Sequence, residues 1–292
     1  MRSRRPGRAA VTACALLLLA GCGTGADDEG SAAATSGTDG PAAGPSRGEL
    51  TAEGEYSPGM AASVDLPQGD PAAVVVLVPG GGWSSADPTG LAPLATTLSD
   101  AGLAVVTITY GTSGTGDHYP TPADDVACGV SYAAAQVPDV PVVVLGHSAG
   151  AHLAALVGLV PDRGSGDACP SPSHAADAVV GLAGPYDVAA TGGLARSLFG
   201  VDQVEDPDLW EEGNPVLQAG GRPEVPFLLV HGDADDVVPV EFTSSFGDAL
   251  EAAGHDVTIR ILPAVDHSSV YAATVVGDAV VRWVERVVVG AA

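Results

Sequence analysis

The chain has 292 residues, of which 46% are hydrophobic and only 4% aromatic, so it can bury a sizeable core built mainly from aliphatic side chains. Its 36 acidic residues against 11 basic ones give a formal net charge of −25. A surface this acidic repels polyanions, which argues against DNA or RNA as a partner.

The first 21 residues have the composition of a secretory signal peptide. Four arginines precede residues 9–19, an apolar run too short to span a bilayer, and small residues follow it. The sequence Leu19-Ala20-Gly21-Cys22 resembles the bacterial lipobox, in which cleavage leaves a lipidated cysteine as the first mature residue. The resemblance implies export, with Cys22 as a lipid anchor at the outer face of the bacterial cell membrane. Ordinary cleavage beside a coincidental cysteine, or a retained anchor, are the alternatives.

Residues 22–54 contain almost no large apolar side chain and are rich in Gly, Ala, Ser, Thr, Asp and Pro. Such a segment cannot bury a core, and it is predicted to be a flexible tether. The folded domain is therefore expected over residues 55–292.

Four cysteines are present, and Cys14 falls within the predicted signal peptide. With Cys22 taken by lipid, Cys128 and Cys169 remain as one possible pair, and export permits a disulfide between them. Two buried thiols are the alternative.

Beyond residue 55, apolar runs of strand length alternate with helix-length stretches. Continuous Val-rich runs are typical of strands that are covered on both faces. The alternation predicts an α/β fold with a doubly wound, mostly parallel sheet flanked by helices. The predicted strands are residues 73–78, 103–109, 142–145, 178–182, 227–230 and 257–262, and the predicted helices are residues 91–101, 124–135, 151–159, 242–253 and 270–289. Residues 184–224 interrupt the alternation and are predicted to form a short lid insertion.

The pattern G-x-S-x-G occurs at residues 44–48 and again at residues 146–150. The first copy lies in the predicted tether, without a strand before it or a helix after it. The second copy follows one predicted strand directly and precedes a predicted helix, which is the strand–turn–helix context of a nucleophile elbow. Ser148 is therefore the candidate nucleophile, exposed at the end of a strand beside a helix N-terminus.

A serine hydroxyl needs an adjacent base, and that base needs an acid to orient it. Of the seven histidines, only His267 follows the last predicted strand, in a loop at the carboxyl edge of the sheet. Three acids, Asp233, Asp235 and Asp236, follow the preceding strand, and the residues alone do not choose between them. The chain order of Ser148, an aspartate and His267 is that of the α/β-hydrolases.

Residues 73–289 resemble the α/β-hydrolase superfamily in its esterase/lipase branch. They are similar to small bacterial esterases related to hormone-sensitive lipase, and to feruloyl-esterase-like and kynurenine-formamidase-like members. In that family the segment H-G-x-x-D-x-x-V-P supplies the acid, and its match at residues 231–239 selects Asp235. The resemblance implies a catalytic triad of Ser148, Asp235 and His267.

Acyl transfer also requires N–H donors that stabilise the negative charge on the carbonyl oxygen. One expected donor is Ala149, the residue after the nucleophile. The run Pro-Gly-Gly-Gly-Trp that ends at Trp83 looks like the family's H-G-G-G-W, which implies Gly81 and Gly82 as further donors and Trp83 in the substrate pocket. The sequence departs from the family at Pro79, where a histidine that braces this loop usually stands.

Together these features predict a serine hydrolase that cleaves a small-molecule carboxylic ester through an acyl-enzyme, with no metal or cofactor implied. An amidase or formamidase of the same fold is the nearest alternative. A peptidase is less favoured, because Ala151 stands where related peptidases have glycine. A non-catalytic lipoprotein that binds a partner in the cell envelope is the alternative outside the hydrolases.

Overall fold

A computed structural model describes residues 52–161 and 169–291 of the chain. The predicted signal peptide, Cys22 and all but the end of the predicted tether lie outside the described residues. Within the described part, no helix combines the length and the apolar character needed to cross a lipid bilayer.

An eight-stranded sheet with the order β1-β2-β4-β3-β5-β6-β7-β8 forms the centre of the described domain. Its strands are β1 (Ala52–Ser57), β2 (Met60–Asp65), β3 (Val74–Val78), β4 (Ala104–Ile108), β5 (Val142–His147), β6 (Ala178–Leu182), β7 (Phe227–Gly232) and β8 (Val257–Leu262). β2 is antiparallel to β1 and to β4, and all other neighbours are parallel. The predicted doubly wound, mostly parallel α/β architecture is confirmed.

Helices cover both faces of this sheet. They are α1 (Ala92–Asp100), α2 (Thr121–Gln136), α3 (Ala149–Leu159), α4 (Arg196–Phe199), α5 (Pro207–Glu212), α6 (Glu241–Ala253) and α7 (Asp278–Trp283). Single turns of 3-10 helix lie at Thr89–Leu91 and Val188–Ala190, and α7 is flanked by π-helical turns at Ala273–Gly277 and Val284–Val288, followed by a 3-10 turn at Val289–Ala291.

The alternation of side chains along β3 shows how the two apolar layers form. Val74, Val76 and Val78 contribute to the core that also contains residues of α2, α3 and α6. Val75 and Leu77 point to the other face and pack in a second core with residues of α1 and α7. Because β3 is buried on both faces, its sequence is apolar at every position rather than at alternate ones.

The N-terminal hairpin of β1 and β2 was not predicted, and β1 begins at Ala52, inside the stretch assigned to the tether. The predicted lid at residues 184–224 lies between β6 and β7 and contains α4 and α5. We call residues 184–224 the lid segment.

Cys128 and Cys169 form a disulfide, as expected from the cysteine count. Their Cα atoms are 5.5 Å apart, within the usual range for such a bond. The bond joins α2 to the chain on its way into β6.

Candidate active site

Ser148 alone makes the turn from β5 into α3. Its backbone adopts φ 53° and ψ −121°, a conformation that side-chain-bearing residues rarely adopt. The Ser148 N–H donates to the carbonyl of Leu182 at 2.8 Å, which ties the turn to the end of β6. This is the geometry of a nucleophile elbow, as residues 146–150 predicted.

Gly150 shows why the motif needs glycine after the serine. A Cβ atom at Gly150 would collide with the carbonyl groups of Val78 and Pro79. The missing side chain therefore lets α3 begin directly against the end of β3. The elbow and the loop that follows β3 are held in close contact by this approach.

Ser148, His267 and Asp235 form a continuous hydrogen-bonded chain. His267 Nε2 is 2.9 Å from Ser148 Oγ, and His267 Nδ1 is 2.7 Å from Asp235 Oδ2. Because a carboxylate only accepts, Nδ1 carries the proton, which leaves Nε2 free to accept from the serine hydroxyl. The His267 side chain is 11% exposed and that of Asp235 only 1%. The three residues follow β5, β7 and β8, so the structure brings together the three side chains that the sequence selected.

Asp235 is held as a charged carboxylate by several donors. Its Oδ1 accepts the N–H groups of Val237 at 2.9 Å and Val238 at 2.8 Å, and its Oδ2 lies 3.1 Å from His231 Nε2. Burial raises the pKa of this carboxyl, but the Val238, His267 and Val237 donors outweigh burial, so the pKa is lowered overall. The group is therefore ionised at neutral pH.

The neighbouring acids do not compete for His267. Asp233 is exposed, and its Oδ1 accepts the N–H of Ala264 at 2.6 Å. Asp236 is also exposed. The structure thus separates Asp235 from two acids that composition alone leaves equivalent.

Three backbone N–H groups near Ser148 in the chain or in its cavity have no hydrogen-bond acceptor within the described residues. Ala149 is the first residue of α3, so its N–H has no acceptor within the helix. We call residues 79–83 the oxyanion loop, after the role that the sequence predicts for it; it follows β3 and carries Gly81 and Gly82. Among the described residues, no acceptor is bonded to the N–H of Ala149, Gly81 or Gly82. These groups are available to a ligand oxygen.

A cavity of about 350 Å³ opens at the serine. Its walls come from the oxyanion loop, the elbow, the 3-10 turn before α1 and the loops after β7 and β8: Pro79, Gly80, Gly81, Gly82, Asp87, Gly90, Leu91, His147, Ser148, Val237, His267, Ser268 and Tyr271. In the described part of the chain, no three His, Cys, Asp or Glu side chains are grouped so that they would hold a metal ion.

The prediction that Trp83 lines the substrate pocket is wrong for this cavity. Trp83 is not among the residues that border it, and its side chain is 3% exposed. The indole Nε1–H donates to His152 Nδ1 at 3.3 Å, inside the core. Trp83 has φ 57°, and this turn of the backbone was not evident from the sequence.

Two histidines had no assigned role in the sequence. His147 Nε2 donates to the carbonyl of His267 at 2.9 Å, and burial and the nearby His267 lower its pKa to about 4. The centroid of the His147 ring is 4.8 Å from that of His267 and 4.5 Å from that of Tyr271. His231 is buried and bonds the carbonyl of Val238 at 2.9 Å, and burial lowers its pKa as well. The sequence could have indicated a role for both residues, because His147 directly precedes the nucleophile and His231 is the first residue of the motif that contains Asp235.

Comparison with known proteins places this geometry in a family. The model of the BD-FAE family matches residues 64–250. The chain is 33% identical to esterase LipC of Mycobacterium tuberculosis over 225 residues, covering 70% of the chain and 54% of LipC. It is 29% identical to esterase LipQ of the same organism over 231 residues, covering 72% of the chain and 53% of LipQ. The chain thus spans about half the length of the curated relatives it matches.

Solved structures support the same fold. A truncated carbohydrate esterase from gut microbiota is similar with a TM-score of 0.70 and 22% identity, over 84% of this chain and 99% of that one. A thermophilic esterase from Thermogutta terrifontis with butyrate bound has a TM-score of 0.65 and 20% identity, over 78% of this chain and 90% of that one. With the family model matching well over half of its residues, the chain belongs to the BD-FAE family of α/β-hydrolases.

Proposed function

We propose that this protein hydrolyses carboxylic esters by nucleophilic catalysis at Ser148. The observation that carries the proposal is the chain of two hydrogen bonds, at 2.9 Å and 2.7 Å, that joins Ser148 through His267 to Asp235. It is the arrangement that makes an ordinary hydroxyl nucleophilic at neutral pH.

In the first half of the reaction, Ser148 Oγ bonds to the carbonyl carbon while His267 Nε2 takes the hydroxyl proton. Asp235 stabilises the imidazolium that results. The carbonyl oxygen becomes an oxyanion, and the N–H groups of Ala149, Gly81 and Gly82 are the donors that would stabilise it. The intermediate collapses, and the alcohol leaves with the proton from His267.

In the second half, water takes the place of the alcohol. His267 Nε2 accepts a proton from the water as its oxygen attacks the acyl carbon of Ser148. The same donors stabilise the second oxyanion. The acid product leaves, and the proton returns through His267 to Ser148 Oγ, which restores the free enzyme.

Two further observations support an ester as substrate. LipC and LipQ, which share 33% and 29% of their aligned residues with this chain, are esterases by name. The cavity of about 350 Å³ is at the small end of ligand sites, which favours a small ester.

A fluorophosphonate probe tests the nucleophile. We expect it to label the protein, and we expect Ser148→Ala to abolish both labelling and ester turnover. Ser268→Ala is the matched control, because Ser268 borders the same cavity but has no hydrogen bond to His267 in the described structure. Labelling that survives Ser148→Ala, or is lost with Ser268→Ala, would contradict the assignment.

A substrate panel tests the reaction class. Esters and amides that share one acyl group are compared at equal concentration. Faster turnover of the ester supports the proposal, and faster turnover of the amide would indicate an amidase. A wild-type protein that neither binds the probe nor turns over any member would indicate a binding role.

A further inference from the structure

A buried chain of hydrogen bonds joins the oxyanion loop, the nucleophile helix α3 and the lid segment. Trp83 Nε1 is 3.3 Å from His152 Nδ1, and His152 Nε2 is 2.9 Å from the carbonyl of Gly213. Trp83 is 3% exposed and His152 is fully buried. The two rings meet edge to face, with centroids 5.3 Å apart.

The chemistry of the indole fixes the direction of this chain. An indole nitrogen only donates, so His152 Nδ1 is the acceptor and the ring proton lies on Nε2. That proton is donated to the Gly213 carbonyl. Both ring nitrogens of His152 are therefore used, and the imidazole is held in one orientation between the loop and the lid segment.

His152 is rigidly placed relative to the nucleophile. It lies one helical turn after Ser148, and its backbone N–H donates to the Ser148 carbonyl at 3.1 Å. Trp83 is the residue directly after Gly82, one of the proposed oxyanion donors. The indole–imidazole bond therefore links the loop that carries the proposed donors to the helix that follows the nucleophile.

Other contacts fix the backbone at both ends of the oxyanion loop. Tyr110 Oη donates to the carbonyl of Pro79 at 2.9 Å, and the N–H of Ser113 donates to the carbonyl of Trp83 at 3.0 Å. Between these ends, Gly81 and Gly82 have positive φ values of 140° and 57°. A loop with this backbone depends on its anchors to keep one conformation.

We propose that Trp83 and His152 are positioning residues, which hold the N–H groups of Gly81 and Gly82 at the place where negative charge develops on the substrate. The inference rests on the proposed ester hydrolysis. Misplaced donors stabilise the transition state less while leaving the binding of the neutral ester nearly unchanged. Loss of the indole–imidazole bond should therefore lower kcat and spare KM.

Trp83→Phe removes the indole N–H and keeps an aromatic ring in the core. We expect kcat to fall about 10-fold or more, with KM changed less than about 3-fold. Trp210→Phe is the matched control, because Trp210 is 4% exposed and its Nε1 donates at 3.2 Å to the carbonyl of Val201, which is not a residue of the oxyanion loop or of α3. That control should lose similar stability and keep its kcat.

A second pair of variants acts from the other side of the bond. His152→Asn retains an oxygen that accepts the indole N–H, whereas His152→Ala retains no acceptor. We expect the Asn variant to keep more of the wild-type kcat than the Ala variant. This pair decides the question by itself if Trp83→Phe does not fold.

The inhibition constant of a trifluoromethyl ketone measures the oxyanion donors separately from any loss of protein stability. The serine adds to its carbonyl, and the resulting oxyanion needs the same donors as the transition state. The inhibition constant should rise in Trp83→Phe by about the factor by which kcat/KM falls, and should not rise in Trp210→Phe. An unchanged kcat and inhibition constant in Trp83→Phe, or equal changes in both tryptophan variants, would overturn the inference. A wild-type protein without turnover or probe labelling would overturn the proposed function instead.

Discussion

At the scale of single residues, a sequence motif identifies Asp235 as the acid, and the fold supplies the donors around its carboxylate. The match at residues 231–239 selected this acid, and the structure places two backbone N–H groups and the Nδ1–H of His267 on its carboxylate. All three of these groups donate to it. A neutral side chain at this position would lose the charge and would oppose the donors that surround it.

Asp235→Asn should therefore lower kcat by roughly 10²- to 10⁴-fold, because an amide cannot stabilise the imidazolium and favours the wrong tautomer of His267. Steady-state rates on a chromogenic ester measure the effect. Asp233→Asn is the control, since the side chain of the exposed Asp233 accepts the backbone N–H of Ala264 and, in the described structure, has no hydrogen bond to His267. Comparable losses in both variants would remove Asp235 from its proposed role.

His147 predicts a dependence of stability on pH. Burial lowers its pKa to about 4 in the folded protein, against 6.5 in the unfolded chain. Above pH 6.5 the group is neutral in both states. As the pH falls from 6.5 to about 4, only the unfolded chain gains the proton, so the free energy of unfolding decreases. Below about pH 4 the His147 side chain is protonated in both states, so it causes no further decrease in the free energy of unfolding.

His147→Gln keeps an N–H that can donate to the His267 carbonyl but has no proton to gain. Between pH 7 and pH 4, urea unfolding should show a decrease in stability that is smaller in the variant than in the wild type, by on the order of 3 kcal/mol. Parallel pH curves for the two proteins would show that His147 is not the group responsible.

Trp83 marks the limit of sequence analysis at this scale. Its place after three glycines predicted a loop at the end of β3, which the structure contains, but not the direction of the indole. That direction depends on a positive φ at Trp83 and on an acceptor, His152, that lies 69 residues away in the chain. Pro79 is similar: the sequence showed that the usual histidine is missing, and only the structure shows Tyr110 bonded to the carbonyl there.

At the scale of elements, the parallel strands could be predicted because each contains a nearly continuous apolar run. The strand β6 matches its prediction at both ends, and β3 differs by one residue. β1 and β2 were not predicted, because an antiparallel hairpin at the edge of a sheet needs no continuous apolar run. The residues of β2 alternate between buried and more exposed positions. The edge strand β8 was found from its apolar residues although it is not fully buried.

The contact of α3 with the end of β3 predicts the effect of Gly150→Ala. The added methyl group would meet the carbonyls of Val78 and Pro79, so α3 and the oxyanion loop must move apart. We expect a lower melting temperature and a kcat reduced by about 10-fold or more, because donor and nucleophile lose their alignment.

Gly220→Ala is the control for that change, because a Cβ atom at Gly220 has no neighbour within 4 Å and its φ is not positive. This variant should keep the activity and the melting temperature of the wild type. Normal turnover in Gly150→Ala would mean that the close approach of α3 is not needed for the reaction.

At the scale of the whole molecule, the acidic surface predicts selection by substrate charge. The formal net charge is −25, and Asp87 borders the cavity itself. A negatively charged ester should approach this site more slowly than a neutral one. Salt should reduce the difference, because screening shortens the range of the repulsion.

A pair of para-nitrophenyl esters with acyl chains of equal length tests this, one neutral and one ending in a carboxylate. At low ionic strength we expect kcat/KM for the anionic ester to be lower by about 10-fold, and the gap to narrow at high ionic strength. The neutral ester serves as the control and should respond little to salt. A gap that persists at high salt would point to contacts within the cavity rather than to the long-range field.

The order of the strands along the chain has a consequence for synthesis. Ser148 and the oxyanion loop are translated first, whereas Asp235 and His267 follow the last two strands, β7 and β8. A nascent polypeptide therefore leaves the ribosome with a hydroxyl that has no proton acceptor. A chain that ends before His267 lacks the proposed base for Ser148, so we expect such a fragment to turn over esters far more slowly than the full chain.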